Sequence, residues 1–237
     1  MSVVDRLLRD YSIVDLSFAL EENIPWVETH TPFKHIPWET PGLADGHTAY
    51  TYGLLMDEHT GTHVDSTMHF PHTGHRWIDQ IPIREFIGRC GVIDCRHNKP
   101  GTLVSEDDLI HWEKDHCKLS DVDALLFNFG WHRKFKPLPE GRSYLGRRPG
   151  LSRQAARYIV ASGVKLVGCD TMSLDARGTN GSPIHCILLS KEVKVIESLA
   201  NLHLAPPTGG LLMAVPLKIV HGSGSPVRAF MFVPRKH

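Results

Sequence analysis

The stretch His59-Thr60-Gly61-Thr62-His63-Val64-Asp65-Ser66-Thr67-Met68-His69-Phe70 holds three histidines and one aspartate within twelve residues. Imidazole nitrogen and carboxylate oxygen are donors that zinc, manganese and iron accept. The absence of thiolates argues against a closed, Cys-rich structural zinc. His63 and Asp65 are two apart, so extended backbone points them to one face. Gly61 lets the chain bend so that His59 turns toward the same point. Thr60, Thr62 and Val64 are β-branched and disfavour a continuous helix. The stretch therefore reads as a strand end or tight loop presenting ligands. The helical HExxH of zinc proteases does not apply, since its glutamate is missing. His59, His63 and Asp65 leave coordination positions open for water and substrate. His69 is either a fourth ligand or a free imidazole ready to pass protons.

Outward from this motif, Tyr50–Met56 predicts a strand running into it, and Gly91–Cys95 and Ala124–Phe129 predict further strands. Upstream, Val3 to Asp10 predicts a short amphipathic helix followed by a strand at Ser12–Leu16. Glu21 to Gly46 carries Pro25, Pro32, Pro37 and Pro41, too closely spaced for a long helix, and its Trp26, Phe33 and Trp38 need a surface to pack on. Ser105 with the acids behind it caps a helix running to about Asp115. Ser152 caps a second, Arg153–Ser162, which Gly163 ends. Lys165–Cys169 then reads as a buried strand ending in Asp170, Pro183–Leu189 as a short helix, and Val193–Glu197, Leu212–Val215 and Val227–Val233 as strands. Strands outnumber helices, and helices connect some of them. The expectation is an α/β fold with a mixed sheet and flanking helices, residues 1–237 forming one domain.

Bulk composition narrows the function. Lys+Arg and Asp+Glu both number 26, so no overall field draws nucleic acid or an anionic membrane. The 16 histidines are the compositional outlier and favour metal or proton chemistry. Cys90, Cys95, Cys117, Cys169 and Cys186 are odd in number, scattered and without a CxxC, as free thiols of a reducing compartment would be. The first residues lack the apolar segment of a signal peptide, and no run reaches membrane-spanning length. A cytoplasmic protein is expected.

A second candidate region is Ser182-Pro-Ile-His185 with Glu197 twelve residues on. An ionisable group ending a strand of Val and Ile needs a partner if buried, and a metal ion or a lysine would each serve. Asp170, also at a strand end, either borders the site or caps the following turn. The basic segment Gly130–Gly150, with Trp131 and Tyr144 among its arginines and lysines, could bind a carboxylate or phosphate group but reads more readily as a solvated loop. No phosphate-binding loop, dinucleotide fingerprint or GxSxG elbow is present.

Taken together, HTGTHVDSTMHF resembles the signature of the cyclase-like metal hydrolases, a family that includes bacterial kynurenine formamidase and isatin hydrolase. Further blocks resemble it in the expected order: Ile13–Ser17, Lys165–Ser173, Ser182–Leu189, Val195–Leu202 and Gly224–Arg228. The resemblance implies a swivelling β/β/α-type fold and a hydrolase that opens an amide or cyclic amide. It implies that His59, His63 and Asp65 bind a divalent metal, zinc or manganese, while His69 donates and accepts the proton. In the formamidase branch it further implies that His185 and Glu197 supply ligands for a second ion bridged by Asp65, so one or two ions are expected. The segment Trp131–Gly150 makes the chain longer than typical formamidases and more like the isatin-hydrolase branch. A small, planar or aromatic substrate is expected, as is a homo-oligomer, dimer or tetramer. The alternatives are a metal-dependent cyclase or dehydratase, a lactone hydrolase, and a non-catalytic metal-binding protein. Trp26, Phe33 or Trp38 would form an aromatic wall for a planar substrate, although packing within the core is the commoner fate of any one such residue.

Overall fold

The computed structural model describes residues 2–38, 50–70 and 72–235. Helix α1 (Val3–Asp10) opens the chain, capped by Ser2 and Asp5, and leads into β1 (Tyr11–Asp15). Strands β2 (Lys34–Trp38) and β3 (Thr51–Leu55) form an antiparallel pair of their own. The histidine motif supplies the short, wholly buried β4 (His63–Asp65). Then come β5 (Ile87–Asp94), β6 (Leu103–Val104), α2 (Glu106–Asp115), β7 (Ala124–Asn128), β8 (Gly150–Leu151) and α3 (Arg153–Ala161). The chain closes with β9 (Leu166–Cys169), α4 (Pro183–Leu189), β10 (Lys194–Glu197), β11 (Gly210–Met213), β12 (Gly224–Pro226) and β13 (Phe230–Pro234). The expected helices and strands stand within a few residues of their predicted limits. The β2–β3 pair inside the proline-rich segment was not foreseen, and the 39–46 part of that segment lies outside the described residues.

Among the described residues nine strands form the main sheet, in the order β1-β13-β11-β5-β7-β9-β10-β4-β12. The central four, β5, β7, β9 and β10, run parallel, and both wings are antiparallel. Central parallel strands buried on both faces read as continuous apolar runs, as Ala124–Asn128 and Leu166–Cys169 do. One face carries Leu125, Phe127, Val167 and Val195 against Leu109 and Trp112 of α2, Ala155 and Ile159 of α3, and Leu188 of α4. The other face carries Val92, Leu126, Leu166 and Ile196 against Val64, Leu212 and Met231 of the wings. The wings curl toward each other. Leu16, just past β1, accepts from Ala200 N–H beyond β10 (2.8 Å), and Phe18 N–H donates to Thr62 Oγ1 just before β4 (3.0 Å). Among the described residues no helix is long and apolar enough to cross a membrane.

The segment 130–150 is not a solvated loop. Trp131 and Tyr144 are buried in the helix-side core, and Phe135 stacks on Phe18 with ring centroids 3.8 Å apart. Its basic side chains misled the reading, because its aromatic residues decide where it packs. Asp170 organises it from below, accepting Phe129 N–H (2.9 Å) and Trp131 N–H (2.7 Å). Asp170 is thus the turn-capping residue of the two roles open to it.

Candidate metal centre

The site is built by strand register. His63 and Asp65 occupy alternate positions of β4 and share a face, while Val64 between them enters the core behind. Across the ladder, Glu197 stands opposite His63 and Val195 opposite Asp65, so β10 delivers its terminal carboxylate beside the two ligands. Gly61, at φ +62°, turns the preceding loop, and a side chain there would collide with Leu20. His59 comes in from that loop with Nδ1 2.8 Å from Asp65 Oδ1. On the other side of Asp65, α4 brings in His185, whose Nε2 lies 2.9 Å from Glu197 Oε1 and 3.4 Å from Asp65 Oδ2. Among the described residues two donor groups result, His59–His63–Asp65 and Asp65–His185–Glu197, and they share Asp65. All the ligand candidates expected from sequence therefore meet at one point. Glu197 faces His63 and His185, whereas the nearby buried lysine, Lys194, pairs with Glu85 (2.7 Å).

The hydrogen bonds test whether a cation fits. His63 Nδ1 faces the Gly61 carbonyl (2.9 Å), which can only accept, so that nitrogen donates. His185 Nδ1 donates to Asp175 Oδ2 (2.6 Å). Ser223 Oγ donates to Glu58 Oε2 (2.7 Å) and accepts from His59 Nε2 (3.0 Å). With the outward nitrogens so assigned, each neutral ring turns a bare lone pair inward, toward a carboxylate. Lone pairs facing anions repel unless a proton or a metal lies between them. Asp65 Oδ2, buried and without a hydrogen bond, is a further donor awaiting a cation. Three nitrogens and two carboxylates without sulfur suit zinc or manganese.

The electrostatics follow from the same crowding. Burial works against ionising Asp65, yet the imidazoles of His69, His185 and His59 hold its carboxyl well below the usual carboxylate range. Burial also opposes protonation of His185, but Asp175, Asp65 and Glu197 raise it well above the ordinary histidine value. His63 is raised by Asp65 and Glu197 against burial. His69 goes the other way. Burial lowers it, His59 and His185 add to that, and the attraction of Asp65 does not make up the difference. His69 is thus shifted in the opposite direction to His63 and His185, and its ring lies 4.1 Å from that of His59 and edge-on to Phe70 at 4.6 Å.

A pocket of about 440 Å³ opens over the cluster, with His59, His63, His69, His185 and Glu197 in its lining. Trp26 and Phe33 form part of its wall, Phe33 being at the same time largely buried in the core, and Leu145 brings in the 130–150 segment. The side chain of Trp38 lies outside the described residues.

Residues 14–176 match the family model described as "Putative cyclase". The chain belongs to the cyclase family. Relatives in that family include the isatin hydrolase of Roseibium aggregatum, 27% identical over 249 residues, covering 95% of this chain and 93% of the relative. The kynurenine formamidase of Geobacillus thermodenitrificans is 31% identical over 217 residues, covering 91% and 95%. Among solved structures, an isatin hydrolase bound to the product analogue thioisatinate superposes with TM-score 0.87, at 23% identity and 99% and 100% coverage, which establishes the shared fold. A potential metal-dependent hydrolase with cyclase activity superposes at TM-score 0.72, with 25% identity and 96% and 100% coverage.

Three residues around the centre escaped the sequence reading. Asp175, in the loop between β9 and α4, orients His185, while Ser223, held by Glu58, orients His59. Ser223 lies far from His59 in the chain, Asp175 precedes the helix of His185, and Glu58, next to His59, acts through Ser223; no local pattern marks any of them.

Proposed function

We propose that this cyclase-family chain is a metal-dependent hydrolase that cleaves an amide or cyclic amide. The observation that carries the proposal is Asp65, shared between two donor groups at the base of a pocket that also holds His69. In this reading His59, His63 and Asp65 hold one ion and Asp65, His185 and Glu197 a second, zinc or manganese in each case. These residues would hold a divalent cation, which when bound would supply water activation and polarisation of the substrate carbonyl.

The chain's own groups do the rest. Asp175, Ser223 and the Gly61 carbonyl keep three imidazoles in the tautomer that faces the cation. His69 takes the proton of the attacking water as the C–O bond forms. It returns that proton to the amide nitrogen as the C–N bond breaks, leaving a carboxylic acid and an amine. Trp26, Phe33 and Phe70 line the pocket and suit a planar or aromatic small molecule. Residues 1–237 act as one domain, a view supported by the pairing of β1 with β13 in the sheet that bears the site. Five cysteines without disulfides support a reducing location, the cytoplasm. We further propose a homo-oligomer, supported by exposed apolar side chains such as Leu54, Ile83 and Leu217.

The test is elemental analysis of purified protein joined to a chelator-controlled hydrolysis screen of N-formylkynurenine, isatin and simple lactones. Amide or lactam turnover that is lost with chelator and restored by zinc or manganese supports the proposal. Metal-replete protein inert toward every compound overturns it.

A further inference from the structure

Glu192 lies in the turn between α4 and β10 with φ +61°, a left-handed backbone that glycine or asparagine ordinarily takes after a helix. A glutamate stays in that conformation only when its surroundings hold it. Its carboxylate is held by Arg76, whose guanidinium also grips Glu85 through both terminal nitrogens (2.8 and 3.0 Å). The other oxygen of Glu192, Oε1, faces the hydroxyl of Thr67 (3.3 Å). Thr67 is fully buried, two residues after Asp65 and two before His69. Its Oγ1 accepts Arg76 N–H (3.0 Å), and its one hydrogen has two acceptors in reach, Glu192 Oε1 and the Arg76 carbonyl (3.2 Å). The Arg76–Glu192 pair therefore closes the 67–76 loop and fastens it to the α4–β10 turn.

That loop carries His69. His69 N–H donates to the Ser66 carbonyl (3.2 Å), Thr73 N–H donates to the Phe70 carbonyl (2.9 Å), and the Thr73 hydroxyl faces the Thr67 carbonyl (3.2 Å). On the other side of the clamp, the turn joins the helix of His185 to the strand ending in Glu197, and the His69 and His185 rings stand 6.3 Å apart. Thr67, Arg76 and Glu192 are all absent from the pocket lining, so none of them meets a molecule bound there. Stability alone would be served as well by glycine at 192, which takes this backbone freely; only the clamp uses the side chain. Resting on the hydrolase reading, we infer that Arg76 and Glu192 are positioning residues. Acting through Thr67, they fix His69 at its working distance from the His185–Glu197 side of the donor cluster.

Glu192→Gly tests this, because it relieves the backbone while removing the clamp. Its Tm is expected within about 2 °C of wild type, since the ion pair is part-exposed. Metal content is expected to be unchanged, as is KM for the more rapidly hydrolysed of N-formylkynurenine and isatin, while kcat falls about 10–100-fold. Thr67→Val gives a fall of the same order, and Thr67→Ser, which keeps the hydroxyl, retains most of the wild-type kcat. In metal-free protein the side-chain nitrogen resonances of His69, assigned by their absence from His69→Ala, move in Glu192→Gly. Wild-type kcat in Glu192→Gly or Thr67→Val, a fall accompanied by loss of metal or of Tm, or unmoved His69 resonances would each overturn the clamp. Metal-replete wild type that turns over neither compound counts against the hydrolase reading instead. The resonances then decide alone: moved, they uphold the clamp, and unmoved, they overturn it.

Discussion

Asp175 Oδ2 sits 2.6 Å from Nδ1 of His185, and the same carboxylate caps the helix that carries this histidine. Its Oδ1 accepts Ile184 N–H (2.9 Å) and its Oδ2 lies 3.3 Å from His185 N, whereas Ser182 at the N-cap makes no side-chain capping bond. One acidic residue thus sets both the position of α4 and the ring orientation of a metal-ligand candidate. Asp175→Asn should lower metal affinity of the Asp65–His185–Glu197 group about 10–100-fold, the usual cost of losing such a partner. Competition titration against a chromogenic chelator measures it. Unchanged affinity would show that the Asp175–His185 bond does nothing for ligation.

His69 and His63 should separate cleanly. His69→Ala is expected to keep its metal and lose about 100–10,000-fold in kcat, the range for a lost general acid–base. His63→Ala should lose both metal and turnover. Metal content by mass spectrometry together with steady-state rates decides the matter. Full turnover by metal-replete His69→Ala protein would be incompatible with its assigned role.

Gly224 faces Asp65 across the β4–β12 ladder. A Cβ there would lie 2.6 Å from His59 Cε1 and 2.8 Å from the Val64 carbonyl, and the latter is backbone that cannot swing away. Gly224→Ala is therefore expected to push His59 out of line and weaken metal binding while the fold survives. Metal titration with circular dichroism distinguishes the two effects. Wild-type affinity in this variant would mean that the ladder absorbs the methyl group.

The acid limb of stability should carry the mark of Glu85. The guanidinium of Arg76, helped by Lys194 and opposed by burial, holds this carboxyl at about 2, against an ordinary 4.5. The folded value is depressed, so its contribution is complete above about 4.5 and disappears as the pH falls to about 2. Allowing for solvent screening, the loss amounts to roughly 1 kcal/mol. Urea midpoints taken across that window should fall in the wild type and change less in Glu85→Gln. At neutral pH, Glu85→Gln leaves Lys194 buried without its charged partner and should cost about 2–4 kcal/mol, much of it regained in a Glu85→Gln, Lys194→Met double variant. Equal acid slopes in wild type and Glu85→Gln would refute the assignment.

Much of the site was legible because its ligands cluster in sequence. A His-x-Asp pair on a strand, a glycine two residues before it and a histidine four beyond the aspartate leave few geometries open. The buried runs at Ala124–Asn128 and Leu166–Cys169 likewise identify central strands by apolar content alone. The segment 130–150 was misjudged since charge counts describe its surface, while Trp131, Phe135 and Tyr144 determine its packing.

By itself the sequence determined that three histidines and an aspartate suited to a divalent metal lie within twelve residues, on a strand end or tight loop of an α/β fold, and it left His69 open between ligand and free imidazole. Only the tertiary structure decided that His185 and Glu197 share Asp65 with them, that Asp175, Ser223 and Glu58 orient the rings, and that Arg76 and Glu192 tie the His69 loop to the α4–β10 turn. Such groups come from separate strands and loops. Strand register and helix placement bring them within a few ångströms, and these arise from packing the whole sheet.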